Sequence, residues 1–300
     1  MALHESVLLD EAMEWLGPGP GKTFVDGTVG LGGHALRILE KSAPDGRVIG
    51  FDKDERALVE AGKRLAEFGE RAMLIHDDFS NIARHLRSLD AGRVDGMLLD
   101  LGVSSMQIDD ASRGFSFQSD GPLDMRMDRR QTLTARELVN QAPETTLQEI
   151  LWKYGEERFS RRIASTLVEE RERRRIDTTG ELAALVKQAV PKPYRYGRIH
   201  PATRTFQALR IAVNKEMEAL ERFLEFAPEV LTEGGRLVVI AFHSLEDRAV
   251  KTAFKAYQQE KRGKILTRKP LVATEAEVAR NPRSRSAKLR AFVKSEDDSL

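Results

Sequence analysis

Short apolar runs and amphipathic stretches alternate along the first third of the chain. Thr23–Asp26, Arg47–Asp52, Ala72–His76 and Asp95–Leu101 are compact runs that read as strands. Helical spacing fills the intervals, over His34–Lys41, Asp54–Phe68 and Asn81–Leu89. A strand followed by a helix, repeated, predicts an α/β fold: a mostly parallel sheet with helices on both faces.

The alternation stops near Ile108. From there to Ala202 only helical patterns appear, over Glu144–Arg173 and Thr179–Val190. Prolines punctuate them, in Gln141-Ala142-Pro143 and in Val190-Pro191-Lys192-Pro193. Strand and helix signals then return. Phe206, Leu209, Val213, Met217, Leu220 and Leu224 recur at three- and four-residue steps, one stripe of one long helix. Glu233-Gly234-Gly235 reads as a turn, Arg236–Phe242 as a buried strand and Ser244–Gln258 as a helix. Ile265–Ala273 and Lys288–Lys294 are the closing strands. The expected organisation is a sheet domain from residues 1–107 and 203–300, interrupted by a helical insertion over 108–202.

Composition narrows the chemistry. Of 300 residues, 41% are hydrophobic and 32% charged, with a net charge of only +1. Affinity for a polyanion must therefore come from local clusters of Lys and Arg. The absence of Cys excludes disulfides, thiolate zinc sites, iron–sulfur clusters and any cysteine nucleophile. The six His show no H-E-x-x-H spacing, so no catalytic metal is expected. No apolar run approaches the ~20 residues of a membrane span and no leader pattern opens the chain, so the expected location is the cytoplasm, with no membrane partner.

The most informative segment is Val25-Asp26-Gly27-Thr28-Val29-Gly30-Leu31-Gly32-Gly33-His34. A strand ends and a helix begins across it, and glycines let backbone come close to a ligand. Asp52 lies 22 positions beyond Gly30 at the end of the second strand, where a carboxylate accepts from ribose hydroxyls. Two cofactors fit this geometry. Gly30-Leu31-Gly32-Gly33-His34-Ala35 loosely matches a dinucleotide fingerprint, while Asp26-x-x-x-Gly30-x-Gly32 looks more like an S-adenosylmethionine loop. A P-loop-like stretch, Gly17–Thr23, is one residue too short and carries prolines where phosphate-binding N–H groups are needed. At the third strand end, Phe79 is placed to cover an adenine face or to pack in the core. At the fourth, Asp100 precedes Leu101-Gly102-Val103-Ser104-Ser105-Met106-Gln107, facing the crevice of such a sheet.

Taken together, Leu3–Leu9, Asp26–His34, Asp100–Ser105, Gly114–Phe117, Pro122–Met127, Thr203–Arg210, Phe242–Arg248 and Asn281–Arg290 resemble the RsmH (MraW) family. The resemblance runs nearly end to end. It implies a class I methyltransferase fold with a helical insertion, S-adenosylmethionine as cofactor, and N4 of a cytidine in the decoding centre of 16S ribosomal RNA as target. It implies cofactor contacts at Gly32, Gly33, His34, Asp52, Phe79, Asp100 and Gln107. The implied partner is 16S rRNA or the small ribosomal subunit, and a homodimer is compatible with it.

The chemistry agrees. Methylation at C5 of cytosine normally needs a Cys attacking C6, which this chain lacks, whereas an exocyclic nitrogen needs alignment and a proton acceptor. Many exocyclic-amine methyltransferases carry a Pro-Pro-aromatic motif after the fourth strand. Asp100-Leu101-Gly102-Val103 lacks it, so the base must be gripped differently. The candidates are Ser104, Ser105, Asn214, His243 and Ser244. Two alternatives remain on the sequence: a nicotinamide-dependent dehydrogenase, and a non-catalytic RNA-binding protein that keeps the fold.

For RNA, Lys192–His200 interleaves cations with tyrosines, a pattern that meets phosphates and stacks on unpaired bases. Arg195 and Arg198 are its candidate contacts, and Arg283 and Arg285 those of a second basic cluster near the C-terminus. Arg171–Arg175 is diluted by Glu169, Glu170 and Glu172 and reads as a solvated face.

Overall fold

The computed structural model describes residues 6–197 and 199–295. The chain divides into two compact units, one from 1–102 and 217–300, the other from 103–216.

The first unit opens with α1 (Leu9–Leu16), β1 (Thr23–Asp26), α2 (Gly33–Lys41), β2 (Arg47–Asp52), α3 (Glu55–Leu65), β3 (Ala72–His76), α4 (Ile82–Ser88) and β4 (Val94–Asp100). The second unit contains α5 (Ser105–Asp109), α6 (Ala135–Gln141), α7 (Glu144–Gly155), α8 (Ser160–Arg171), α9 (Thr179–Ala189) and α10 (Ala202–Asn214). The first resumes with α11 (Glu216–Val230), whose Glu216 falls just across the division, then β5 (Leu231–Ala241), α12 (Ser244–Gln259), β6 (Gly263–Ile265), α13 (Glu275–Arg280) and β7 (Lys288–Lys294).

The seven strands form one sheet in the order β3-β2-β1-β4-β5-β7-β6. β1 to β5 pair in parallel, and β7 runs antiparallel to both β5 and β6. Strand order reverses between β1 and β4, so the ligand crevice of such a sheet lies at their carboxyl ends. This is the mostly parallel sheet anticipated from the alternating pattern.

Alternate residues of each strand feed two cores, as a period of two requires. Phe24, Val48, Leu98, Val238 and Leu289 pack with α1, α2 and α3 on one face. Val25, Ile49, Leu99, Val239 and Phe292 join Leu86 of α4, Phe223 of α11 and Phe254 of α12 in the other cluster.

Several expectations are corrected. The stripe from Phe206 to Leu224 is two helices: Lys215 adopts a left-handed φ of 50° and closes α10 with its N–H on the Ile211 carbonyl. Apolar spacing survives a one-residue break, which is why the pattern hid it. α10 packs against α7, α6 and α9, so the divisions fall at 102/103 and 216/217 rather than at 107/108 and 202/203. The single helix expected over Glu144–Arg173 also breaks, at left-handed Glu156. There a Cβ on Gly155 would stand 2.8 Å from the Arg204 carbonyl of α10, a close approach only glycine permits. Of Ile265–Ala273, only the first residue belongs to a strand, with an isolated bridge at Leu271. The Gly234-Gly235 turn lies inside β5, where the pairing with β4 jumps from Val94↔Leu231 to Gly96↔Arg236.

Candidate functional site

Three parallel strands end in a carboxylate: Asp26 on β1, Asp52 on β2 and Asp100 on β4. The register places them along one edge. Asp26 is opposite Gly50 and Leu98, and Asp100 is opposite Ile240.

Asp52 is held by two backbone donors. Gly30 N–H donates to Oδ2 at 2.8 Å, and Asp54 N–H donates to Oδ1 at 2.8 Å. Each oxygen keeps a second lone pair, enough for a pair of vicinal hydroxyls. Burial pushes its pKa up to about 6, against the pull of those two N–H bonds.

Thr28 ties the Asp26 carboxylate to the backbone at the end of β4. Its N–H donates to Asp26 Oδ1 at 3.1 Å, and its Oγ1 accepts from Asp100 N–H at 2.6 Å. Asp26 is almost fully buried, which raises its pKa to about 7. The Thr28 bond lowers it and the neighbouring Asp52 adds to the rise. Asp100 is pushed well above the usual carboxylate range by burial, then by Asp26 and Glu246. Asp26 Oδ2 and Asp100 Oδ1 are buried without a hydrogen-bond partner. Buried acceptors without donors are costly in a fold and mark where a ligand supplies them.

The glycine loop turns beside these groups. Gly30 and Gly32 have φ of 51° and 79°, and Gly32 caps α2. A Cβ on Gly32 would sit 3.4 Å from Ala61 of α3, and one on Gly33 would meet Ser6 Oγ at 2.0 Å. Gly32 is required by its left-handed φ, whereas a side chain on Gly33 would have to displace the Ser6 hydroxyl. On α2, His34 Nε2 bonds the Val7 carbonyl at 3.1 Å. A carbonyl only accepts, so Nε2 carries the hydrogen, and Nδ1 faces Asp100 Oδ2 at 3.7 Å. Beyond β3, burial raises Asp77. Hydrogen bonds from His85, Asp78 and Asn81 outweigh it and hold the group at about 2. Phe79 packs edge-on against Phe223, ring centres 5.8 Å apart, at the rim of the core.

At the fifth strand end, His243 caps α12. Its Nδ1 accepts from Glu246 N–H at 3.3 Å, so Nε2 carries the proton and lies 3.1 Å from Glu246 Oε1. Glu246 is buried and also accepts from Phe242 N–H at 2.8 Å. The accepting nitrogen of His243 is thus already in use. Ser244 begins the helix immediately after it.

In the second unit, Ser104 and Gln107 form a reciprocal cap on α5. Gln107 N–H donates to Ser104 Oγ at 3.2 Å, and Gln107 Oε1 accepts from Ser104 N–H at 3.0 Å. Ser105 is the first residue of α5. Asn214 is buried and fully engaged. Oδ1 accepts from Met127 N–H at 2.7 Å, and Nδ2 donates to the Met125 and Arg210 carbonyls at 2.7 and 2.9 Å. It clamps the loop before α6. Arg195 donates to the Val190 and Gln188 carbonyls, 3.1 and 2.7 Å, at the end of α9. Arg198 lies outside the described residues. Arg283 and Arg285 are exposed on the turn before β7, while Arg290 is buried on Asp247 at 2.7 Å.

Sequence reading placed Asp26 only within the loop pattern and missed Glu246, the two carboxylates that add to the effect of burial on Asp100. The place of Asp26 at a strand end was the available signal. An edge lined by carboxylates suits hydroxyl donors and a cationic ligand. It suits the pyrophosphate of a dinucleotide poorly, since two more negative charges would join it.

Comparison with known proteins places residues 1–295 in a match to the model of the MraW methylase family. A relative from Geotalea uraniireducens (strain Rf4), named ribosomal RNA small subunit methyltransferase H, is 50% identical, covering 97% of this chain and 98% of that one. Relatives of the same name from Geobacter sulfurreducens and Symbiobacterium thermophilum are 52% and 51% identical, covering 97% and 98% of this chain and 98% of each relative.

Proposed function

Since the chain belongs to the MraW methylase family, we propose that it methylates N4 of a cytidine in the decoding centre of 16S ribosomal RNA. It is an S-adenosylmethionine-dependent methyltransferase of small-subunit rRNA. The observation that carries the finer reading is the end-to-end match to that family, over a carboxylate-lined strand edge suited to a cationic nucleoside.

The residues present fit the cofactor. The free lone pairs of Asp52 suit the ribose diol, and the unpartnered oxygen of Asp26 suits its positive charge. Phe79, at the third strand end, contributes an apolar wall, and Gly32, Gly33 and His34 shape the loop. The cofactor supplies an electrophilic methyl group. The chain's part is to hold a weakly nucleophilic amine in line with that carbon at about 3–3.5 Å, and to exclude water.

N4 must also shed a proton as the bond forms. Asn214 and His243 have their accepting atoms committed, so neither serves as the acceptor. Among the described residues of the first unit, the unpartnered Oδ1 of Asp100 at the β4 edge is the acceptor we assign. No covalent intermediate with the enzyme forms, in keeping with a chain that has no Cys. Gln107 and the small-subunit contacts of Arg283 and Arg285 complete the proposal. The experiment is incubation with labelled S-adenosylmethionine and small ribosomal subunits, followed by identification of the modified nucleoside.

A further inference from the structure

The second unit carries a cationic and aromatic surface that the methyl-transfer site does not use. Arg158 lies over the ring of Tyr194, 3.8 Å from its centre, and 4.7 Å from that of Phe159. The two rings are themselves 5.0 Å apart. Arg161 and Arg162 follow on the first turn of α8, both exposed. Among the described residues none of the three arginines has an ion pair or hydrogen bond. Two of them also stand at a helix N-terminus, where the helix dipole disfavours positive charge. The placement of Arg161 and Arg162 therefore costs stability and gains no partner within the unit.

A groove of about 530 Å³ lies against these side chains, lined by Arg158, Phe159, Arg161 and Arg162, with Glu144 and Glu169 at its acidic side. Glu169 accepts a hydrogen bond from Ser165 at 3.0 Å, and Glu144 sits in the first turn of α7, where a negative charge is favoured. The carboxylates are thus occupied locally, whereas the guanidiniums are not. Near the end of α9, Tyr196 is 83% exposed with Lys187 4.9 Å from its ring centre.

We propose that Arg158, Arg161 and Arg162, with Tyr194 and Tyr196, form a docking surface for an unpaired segment of ribosomal RNA. A guanidinium stacked on a ring keeps its in-plane N–H donors free to fork a phosphate. An exposed tyrosine face takes a base without regard to sequence. Cations spaced along one helix turn match successive phosphates, and stacked aromatics match unpaired bases rather than a closed duplex. Arg195, by contrast, spends its donors on the carbonyls ending α9. The proposal rests on the reading that small-subunit RNA is the substrate.

The test measures binding of a labelled single-stranded RNA oligonucleotide by fluorescence anisotropy over a range of salt, for the full chain and for R158A/R161A/R162A. The variant should bind about tenfold or more weakly, with a log–log salt slope smaller by about 2, at ~0.7 for each phosphate left unneutralised. It should stay folded, with at most the small loss of stability expected for removing the Arg158 stacking on Tyr194 and Phe159, and calorimetric affinity for S-adenosylhomocysteine should be unchanged. Y196A should weaken binding at every salt concentration and leave the slope intact. Unchanged affinity and slope in the triple variant would overturn the proposal. So would weaker binding to whole small subunits with unaltered binding to protein-free RNA, which would assign the surface to a ribosomal protein. If the patch binds RNA as described but no small subunit is methylated, the docking surface stands and the substrate reading falls.

Discussion

The backbone N–H of Gly30 donates to Asp52 Oδ2 at 2.8 Å, joining the turn of the glycine loop to the end of the neighbouring strand. The glycine loop and the end of β2 are thus held as one unit. The loop orients the carboxylate, and the carboxylate fixes the loop.

Replacing Asp52 with Ala should therefore remove more than one interaction. The charged acceptor for the ribose hydroxyls goes, and Gly30 loses its anchor. Affinity for S-adenosylmethionine should weaken by about 1.5–3 kcal/mol. Calorimetry checks this, and an unaltered dissociation constant would remove Asp52 from the cofactor edge.

The same residue sets a pH dependence. Burial holds its pKa at about 6, and the diol requires the ionised form as acceptor. Cofactor affinity should fall about tenfold per unit as pH drops below about 6. A carboxylate at its ordinary value would hold affinity flat down to about pH 4. Calorimetric titrations between pH 5 and 8 in the wild type distinguish the two, and D52N should lose the dependence.

Asp26 acts on stability with a defined sign. Its folded pKa, about 7, lies above the ordinary 3.8, so the folded state holds its proton more tightly than the unfolded one. Stability then falls as pH rises from about 4 to about 7, and the penalty is complete above that. Asp26→Asn should be more stable than the wild type at pH 8, by about 2–4 kcal/mol, and no more stable at pH 4. Denaturant titrations at the two pH values measure it. A variant less stable at pH 8 would show that the carboxylate is ionised and satisfied there.

Asn214→Ala should destabilise the fold by about 2–3 kcal/mol, because buried groups of Met125 and Met127 lose their partner. A catalytic Asn would instead lower kcat with no change in melting temperature. Measuring both separates the roles.

Much of the sheet unit was legible because its strands are short, apolar and bounded by turns. Thr23–Asp26, Arg47–Asp52, Ala72–His76 and Lys288–Lys294 fall where the pattern places them. The breaks at Glu156 and Lys215 were not, because a single left-handed residue leaves apolar spacing intact on both sides. At the site, Asp52 and Asp100 were legible from their positions at strand ends. Their electrostatics were not, because both depend on burial, and Asp100 also on Asp26 and Glu246, which reach it only through the fold. Asn214 and Arg195 carried the residue types of function, but their hydrogen bonds are structural and only the folded chain reveals them. The run Arg158-Phe159-Ser160-Arg161-Arg162 interleaves cations with an aromatic as visibly as Lys192–His200 does, and was readable on the same grounds.

The central claim is that the methyl group goes to N4 of cytosine. Small subunits modified by the purified protein should be digested to nucleosides and analysed by chromatography with mass spectrometry. The added methyl should lie on the base, with the retention and fragmentation of N4-methylcytidine. A product matching 5-methylcytidine, or one carrying the methyl on the ribose, would contradict the account.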